Sequence, residues 1–288
     1  MRLSSNMDDS VPHNPDFYYT PTGSKNLDYR CDVECNKNYD STVLQQKIAN
    51  WRQIQEESRK LVQLTDGTLT MDNIKHIGAM DIGYISSDPD STIWHGYCTL
   101  TLSHFPSMLP YFQQSRLVTI DEPYVSGYLA FREASVYIKV YREFLRLFHD
   151  EKDIPPADVI LIDGSGTYHI RECGSACMVG LGLNMPTIGV SKSPVLFEGV
   201  ADIQARCDSF WDANPHSTPM PIMDANKPDL LYGYALRGTS RRPHYVSAGH
   251  MISQELAVSV VQKTRANPDF DPIKLSDKGG RVLVGQVR

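Results

Sequence analysis

The sequence predicts an α/β fold: a mixed sheet, an antiparallel meander followed by parallel strands, flanked by helices. Three observations predict it. Two alternating apolar segments, His76 to Ile85 and Ile93 to Ser103, are separated only by the turn-like Ser86-Ser87-Asp88-Pro89-Asp90, and so short a turn implies antiparallel pairing. Two continuous aliphatic and β-branched runs follow, Val159-Ile160-Leu161-Ile162 and Pro186-Thr187-Ile188-Gly189-Val190; such runs suit strands covered on both faces. Segments of helical period stand before, between and after these runs.

The elements follow in order. Val43, Leu44, Ile48, Trp51, Leu61 and Val62 recur at helical spacing and predict a first helix. Arg116 to Asp121 reads as a short third strand. After Gly127 the period changes, and Tyr128, Phe131, Val136, Val140, Phe144, Leu145 and Phe148 form one broad helical face. The turn Gly164-Ser165-Gly166 ends the first aliphatic run, and Gly174 to Leu183 reads as the helix joining it to the second. Strand-helix-strand portions are expected to be parallel, with right-handed crossovers. Phe210 to Asp229, with several prolines, reads as a loop, and Ser253 to Thr264 as a last helix. A meander followed by parallel crossovers is the order found in ribonuclease H-like folds, although order alone does not fix function.

Length and composition set bounds. The 288 residues are 41% hydrophobic, enough for one sizeable core. Residues 1–40, rich in Asp, Asn, Ser and Pro, read as a poorly ordered arm, which leaves 41–288 as a single domain. No run is long and apolar enough to cross a membrane, and the polar N-terminus lacks the apolar core of a secretory signal. The expected compartment is therefore the cytoplasm, with the nucleus as a second, and the expected state is monomeric. Among the six cysteines, Cys31 and Cys35 share a spacing with Cys173 and Cys177. The two pairs could supply four thiolates to a structural zinc, but plain thiols are the favoured reading in a reducing compartment. The net charge of −6 argues against a partner held by phosphate attraction alone, unless acidic residues converge on divalent metals and invert the local field.

Three carboxylates stand where chemistry could use them. Asp81 lies inside the first strand, in Gly78-Ala79-Met80-Asp81-Ile82-Gly83. A charge there is costly unless it is paired or bound to a metal. Asp163 ends the Val159 to Ile162 strand, where ligands of parallel sheets collect. Glu133 stands early in the helix after Pro123-Tyr124. Each has a bland alternative, since Asp163 could cap a turn and Glu133 could favour its helix N-terminus. Together, with the first and fourth strands adjacent, they point to a hard-cation site. Magnesium prefers such oxygen donors.

Four segments taken together resemble the endonuclease V family: Met80-Asp81-Ile82-Gly83-Tyr84; Pro123 to Glu133, which reads PYVSGYLAFRE; Asp163-Gly164-Ser165-Gly166-Thr167-Tyr168-His169 with Arg171; and Pro186 to Ser193, which reads PTIGVSKS. A fifth, Tyr245-Val246-Ser247-Ala248-Gly249-His250, fits the family's late histidine motif. The match runs from about Ile77 to Val261. It implies a ribonuclease H-like fold and magnesium-dependent hydrolysis, with manganese able to substitute, at the second phosphodiester 3′ to an inosine.

By residue-level carry-over, Asp81, Glu133 and Asp163 are implied as metal ligands. His250 is implied as a group positioning the water or a second metal, and Lys192 as a contact to the reacting phosphate. Tyr124 is implied as the wedge that fills the gap when the base is turned out. Gly127, Leu129, Gly164, Gly166, His169, Gly174 and Ser175 complete the implied substrate-binding set. On this reading the glycines let backbone groups approach the flipped base. The chain departs from the family at Ile170, Met178 and Ser191, where proline, histidine and alanine are usual.

Two competing classes remain. One is another nuclease of the same fold, such as a junction resolvase or a ribonuclease acting on RNA–DNA hybrids. The other is an inosine-RNA-binding protein without chemistry. The Pro123-Tyr124 segment argues against the first, and the carboxylates against the second. Single-stranded RNA is the favoured partner, because the long N-terminal arm resembles eukaryotic members, with deoxyinosine in DNA as a second expected substrate.

Overall fold

The computed structural model describes residues 40–85, 93–148, 150–214, 219–238 and 242–286. The expected arm, with Cys31 and Cys35, and the turn at 86–90 lie outside the described residues. The helices are α1 (Ser41–Leu61), α2 (Leu129–Phe148), α3 (Ser175–Leu183), α4 (Ile203–Ala213), α5 (Gln254–Thr264) and α6 (Pro272–Gln286). The strands are β1 (His76–Tyr84), β2 (Trp94–His104), β3 (Pro110–Ile120), β4 (Val159–Asp163), β5 (Thr187–Ser191), β6 (Met220–Met223), β7 (Leu231–Leu236) and β8 (His244–His250).

All the strands join one 8-stranded sheet in the order β3-β2-β1-β4-β5-β8-β7-β6. The expected meander is present, since β1 pairs antiparallel with β2, and β2 with β3. The aliphatic runs form the centre, where β1 lies parallel to β4, and β4 to β5. Strand alternation then decides the layers. Ile160 and Ile162 face one core with α1, α2 and α3, whereas Val159 and Leu161 face a second core with α5 and Ile273 of α6. In the first core Trp51 of α1 stacks on Phe131 of α2, with centroids 5.2 Å apart. Asp40 starts α1 by accepting the Thr42 and Val43 amides on its carboxylate.

Three expectations are corrected. The third strand is Pro110–Ile120 rather than Arg116 to Asp121. It is an edge strand, half-exposed along most of its length, so its apolar alternation is weak, and Pro110 occupies the first position, where no ladder amide is needed. Residues expected as the Phe210 to Asp229 loop contain the end of α4 and the whole of β6. The strand β6 is the opposite edge of the sheet, short enough to carry the exposed Pro221. Finally, β8, β7 and β6 extend the sheet by a second antiparallel portion, which packs a third small core against α4.

Candidate active site

The site grows from the carboxyl edge of the central strands. Asp81 on β1 and Asp163 at the end of β4 have the same strand parity as Ala79 and Leu161. Both carboxylates therefore point to the face covered by α5 and α6. There they meet a fourth carboxylate that sequence reasoning missed. Asp277 on α6 acts electrostatically on Asp81 and on Lys192. Ser276 and the glycines beside it dock α6: the Ser276 hydroxyl donates to the Ala79 carbonyl at 3.0 Å, and a Cβ on Gly279 or Gly280 would press on Gln113 or on the Gly83 backbone. Glu133 comes from α2, on the other face, near enough to Asp163 for their charges to repel.

Burial and like charge dominate the electrostatics. Asp81 is only 9% exposed. Burial first, and then the Asp163 charge, push its carboxyl up to about 8, against the pull of Lys192. Glu133 is 6% exposed, and burial pushes it up to about 7, opposed by a hydrogen bond from Tyr84. Lys192 supplies a positive charge among these groups, its Nζ donating to Asp163 Oδ2 at 2.7 Å. Among the described residues no three His, Cys, Asp or Glu side chains already stand at the spacing of a formed metal cage. Asp163, Asp81 and Asp277 are the carboxylates that act on the Lys192 ammonium.

Tyr84, at the end of β1, donates its hydroxyl to Glu133 Oε1 and accepts from Arg132 Nε. The Arg132 guanidinium lies 5.0 Å from the Tyr84 ring and 5.2 Å from the Trp94 ring, and its Nη1 donates to the Glu122 carbonyl. This ties the Glu133 helix to the segment that carries Tyr124.

Tyr124 itself is 43% exposed, in the turn before α2. That turn closes at Gly127, whose φ of 77° suits glycine. Its carbonyl accepts from both His169 Nε2 and Arg171 Nη2. His169 is buried, and burial followed by the Arg171 charge push it down to about 3. Its Nδ1 accepts the Arg171 amide, so the ring is neutral with its proton on Nε2. Arg171 also lies 4.1 Å from the Tyr128 ring and donates to Gln55 of α1. His169 and Arg171 thus clamp the Tyr124 turn.

The remaining expected residues divide. Gly164 and Ser175 face each other at the start of α3, and Leu129 is half-buried at the start of α2. Gly166 and Gly174 are consumed by internal packing, because a Cβ on Gly166 would run into the Ala248 carbonyl and one on Gly174 into Ser165. Their missing side chains serve the fold rather than an open approach to a ligand.

His250 does not join the carboxylates. It ends β8 opposite Thr187, with its Nδ1 accepting the Gln63 amide. Asp163 stands beside Val190, three residues further along β5, about 10 Å away at the usual rise of a strand. Of the departures from the family, Met178 is buried beside Cys173, Ile170 is exposed, and Ser191 caps its own turn by donating to the Ser193 carbonyl. Cys173 and Cys177 are both fully buried, with the Cys173 carbonyl held by Gln55. The contact with Cys177, and then burial, push the Cys173 thiol up.

Comparison with known proteins places most of the chain. The family model for Endonuclease V matches residues 56–278. Mouse endonuclease V is 29% identical over 213 residues, covering 73% of this chain and 60% of the mouse protein. Human endonuclease V is 30% identical over 187 residues, covering 64% of this chain and 63% of the human protein. The matched region thus spans about three fifths of the length of these two relatives. Among solved structures, Ciona intestinalis endonuclease V in complex with a 24mer DNA containing an inosine followed by a ribo-adenosine superposes with a TM-score of 0.73. It is 28% identical, and the superposition covers 84% of this chain and 99% of that one. With the family model matching most of the chain and the fold superposing on a solved member, this protein belongs to the endonuclease V family.

Proposed function

We propose that the chain is a divalent-metal-dependent endonuclease that hydrolyses the second phosphodiester on the 3′ side of an inosine, with single-stranded RNA as the favoured substrate. The observation that carries this reading is the convergence of Asp81, Glu133, Asp163 and Asp277 from four different elements. Stability alone gives no reason to bury repelling carboxylates together. The inosine part is supported by family membership and by the inosine-containing DNA in the Ciona complex.

The donor set fits Mg2+, or Mn2+ in its place: it offers only carboxylate oxygens, and their mutual repulsion is what a hard cation relieves. When bound, such an ion would neutralise the reacting phosphate and lower the pKa of its water. Asp81, Glu133, Asp163 and Asp277 would hold it. Lys192, released from Asp163, would contact the phosphate. The exposed Tyr124 ring would fill the gap left by the extruded base, on a turn kept in place by His169 and Arg171. Tyr84 would keep the Glu133 carboxylate aimed into the site.

The test uses matched single strands carrying one riboinosine, one deoxyinosine or adenosine, each with and without Mg2+. Cleavage confined to the inosine strands in Mg2+, and faster on riboinosine, is the expected result. Binding without cleavage in any metal would reassign the chain as an inosine-binding protein, and cleavage of the adenosine strand at equal rate would remove the base specificity.

A further inference from the structure

Beside the carboxylates lies a second cluster of opposite sign. The β5–β8 register sets Ser191 opposite Tyr245, so Lys192, just beyond β5, and His244, at the start of β8, share the sheet edge that carries Asp163. The imidazole of His244 is the point on which Arg265, Lys274 and Lys192 all act. Burial first, and then these three positive charges, push it down to about 4, so it stays neutral.

Lys192 is paired with Asp163, but the rest of the cluster is poorly supplied with anions. Arg265 caps the C-terminus of α5 with its side chain only 17% exposed, and its ion-pair contact to Asp271 is a long 3.9 Å. Both Arg265 Nη1 and His244 Nδ1 are buried without a hydrogen-bond partner. Buried polar atoms left unpaired and cations gathered together are each costly. In a chain of net charge −6 this concentration of positive charge is local. Lys274, exposed in the first turn of α6, precedes Asp277 by three residues on the same helix. Their Cβ atoms are thus about 5–6 Å apart, and the two clusters sit side by side.

We propose that Lys274, His244 and Arg265, with Lys192 shared between the two clusters, form a second phosphate site that takes an unreacting backbone phosphate next to the scissile one. This inference rests on the reading of the chain as a nuclease and adds to it the element that sets the strand's register. The carboxylate centre acts on one phosphodiester, and the basic cluster holds its neighbour, so the cut falls at a fixed distance from the flipped base. Phosphate contacts of this kind position a strand without reading sequence.

The experiment combines Lys274→Ala with single methylphosphonate substitutions walked through the phosphates around the cut, in inosine and adenosine strands. With the parent protein, neutralising one phosphate beside the scissile one should weaken binding by roughly tenfold, the worth of one charge-assisted contact. In Lys274→Ala that sensitivity should vanish while the others remain. Both strands should lose affinity alike, and the salt slope should fall by about 0.7. Lys274→Gln, which keeps most of the stem, should behave the same, and unchanged thermal melting of both variants would confirm intact folding. An unaltered sensitivity profile and salt slope in both variants would overturn the site. If the parent shows no inosine-dependent cleavage but Lys274→Ala still loses affinity for both strands, the phosphate site stands and the nuclease reading falls. Inosine-dependent cleavage with a Lys274→Ala profile like the parent's removes the phosphate site alone.

Discussion

Tyr84 donates its hydroxyl to Glu133 at 2.6 Å, joining the last residue of β1 to a buried carboxylate on α2. Asp81 lies three residues earlier on the same strand. One strand thus supplies a carboxylate directly and orients another through a phenol. Removing the hydroxyl takes away one of the two donors, Tyr84 and Tyr137, that favour the charged form of Glu133. Tyr84→Phe is therefore expected to lower cleavage and raise the metal concentration needed for half-maximal rate, at a cost of about 1.5–3 kcal/mol for a bond to a charged group. Metal titrations of both proteins at fixed pH check this. A metal dependence equal to the parent's would show that Tyr84 serves only packing.

Asp81→Ala, Asp163→Ala and Asp277→Ala are each expected to abolish cleavage while sparing much of the substrate binding. His250→Ala is expected to behave differently. Its ring anchors the Gln63 amide, so its loss should destabilise the fold by about 1–3 kcal/mol, with the rate per folded molecule largely kept. Single-turnover assays and denaturant unfolding on the set separate the two classes. Near-normal cleavage by Asp277→Ala would remove α6 from the site.

Proton linkage gives a stability test that needs no substrate. Asp81 is pushed up to about 8 and Glu133 to about 7, above the usual carboxylate range. The native state therefore holds protons that the unfolded chain releases above about pH 4. Their stabilising contribution is full below that pH and is lost as pH rises through about 7–8. Without divalent ions, Asp81→Asn should gain stability over the parent as pH is raised from about 5 to about 9. Urea unfolding at a series of pH values measures it, and a stability difference that is flat with pH would contradict the buried-carboxylate picture.

Tyr124→Ala is expected to weaken binding to paired inosine substrates by about 1–3 kcal/mol, the typical worth of stacking on a base. Tyr124→Phe should be mild, since the ring does the stacking. Equal loss from both changes, in competition binding assays, would point to the hydroxyl instead.

The centre of the fold was legible because it is local. Val159 to Ile162 is apolar without interruption and Thr187 to Val190 is largely β-branched, and Asp81 and Asp163 stand out as charges in such strands. Asp277 was not legible. It lies in the polar, glycine-containing Lys274 to Gly280, which reads as solvated surface, and only the docking of Gly279 and Gly280 against Gln113 and Gly83 brings it to the site. The histidine motif was seen, but its role depended on strand register, which sets His250 opposite Thr187 rather than beside Asp163. The edge strand β6 was hidden because Pro221 looks like a loop residue until its outward position is known.

The aromatic packing has a practical consequence. The chain contains three tryptophans, and they sit in three distinct surroundings. Trp94 touches Arg132 and lies edge-on to Tyr84, 6.5 Å away, so its emission should respond when the charge on Glu133 changes. Trp51 stacks on Phe131 and lies 6.0 Å from Tyr128, behind the turn that carries Tyr124. Trp211 is a buried residue of α4, in the separate core at the far edge of the sheet. The protein therefore carries an optical probe beside the carboxylates, another behind the wedge, and an internal reference, so events at the two halves of the site can be followed in time without any attached dye.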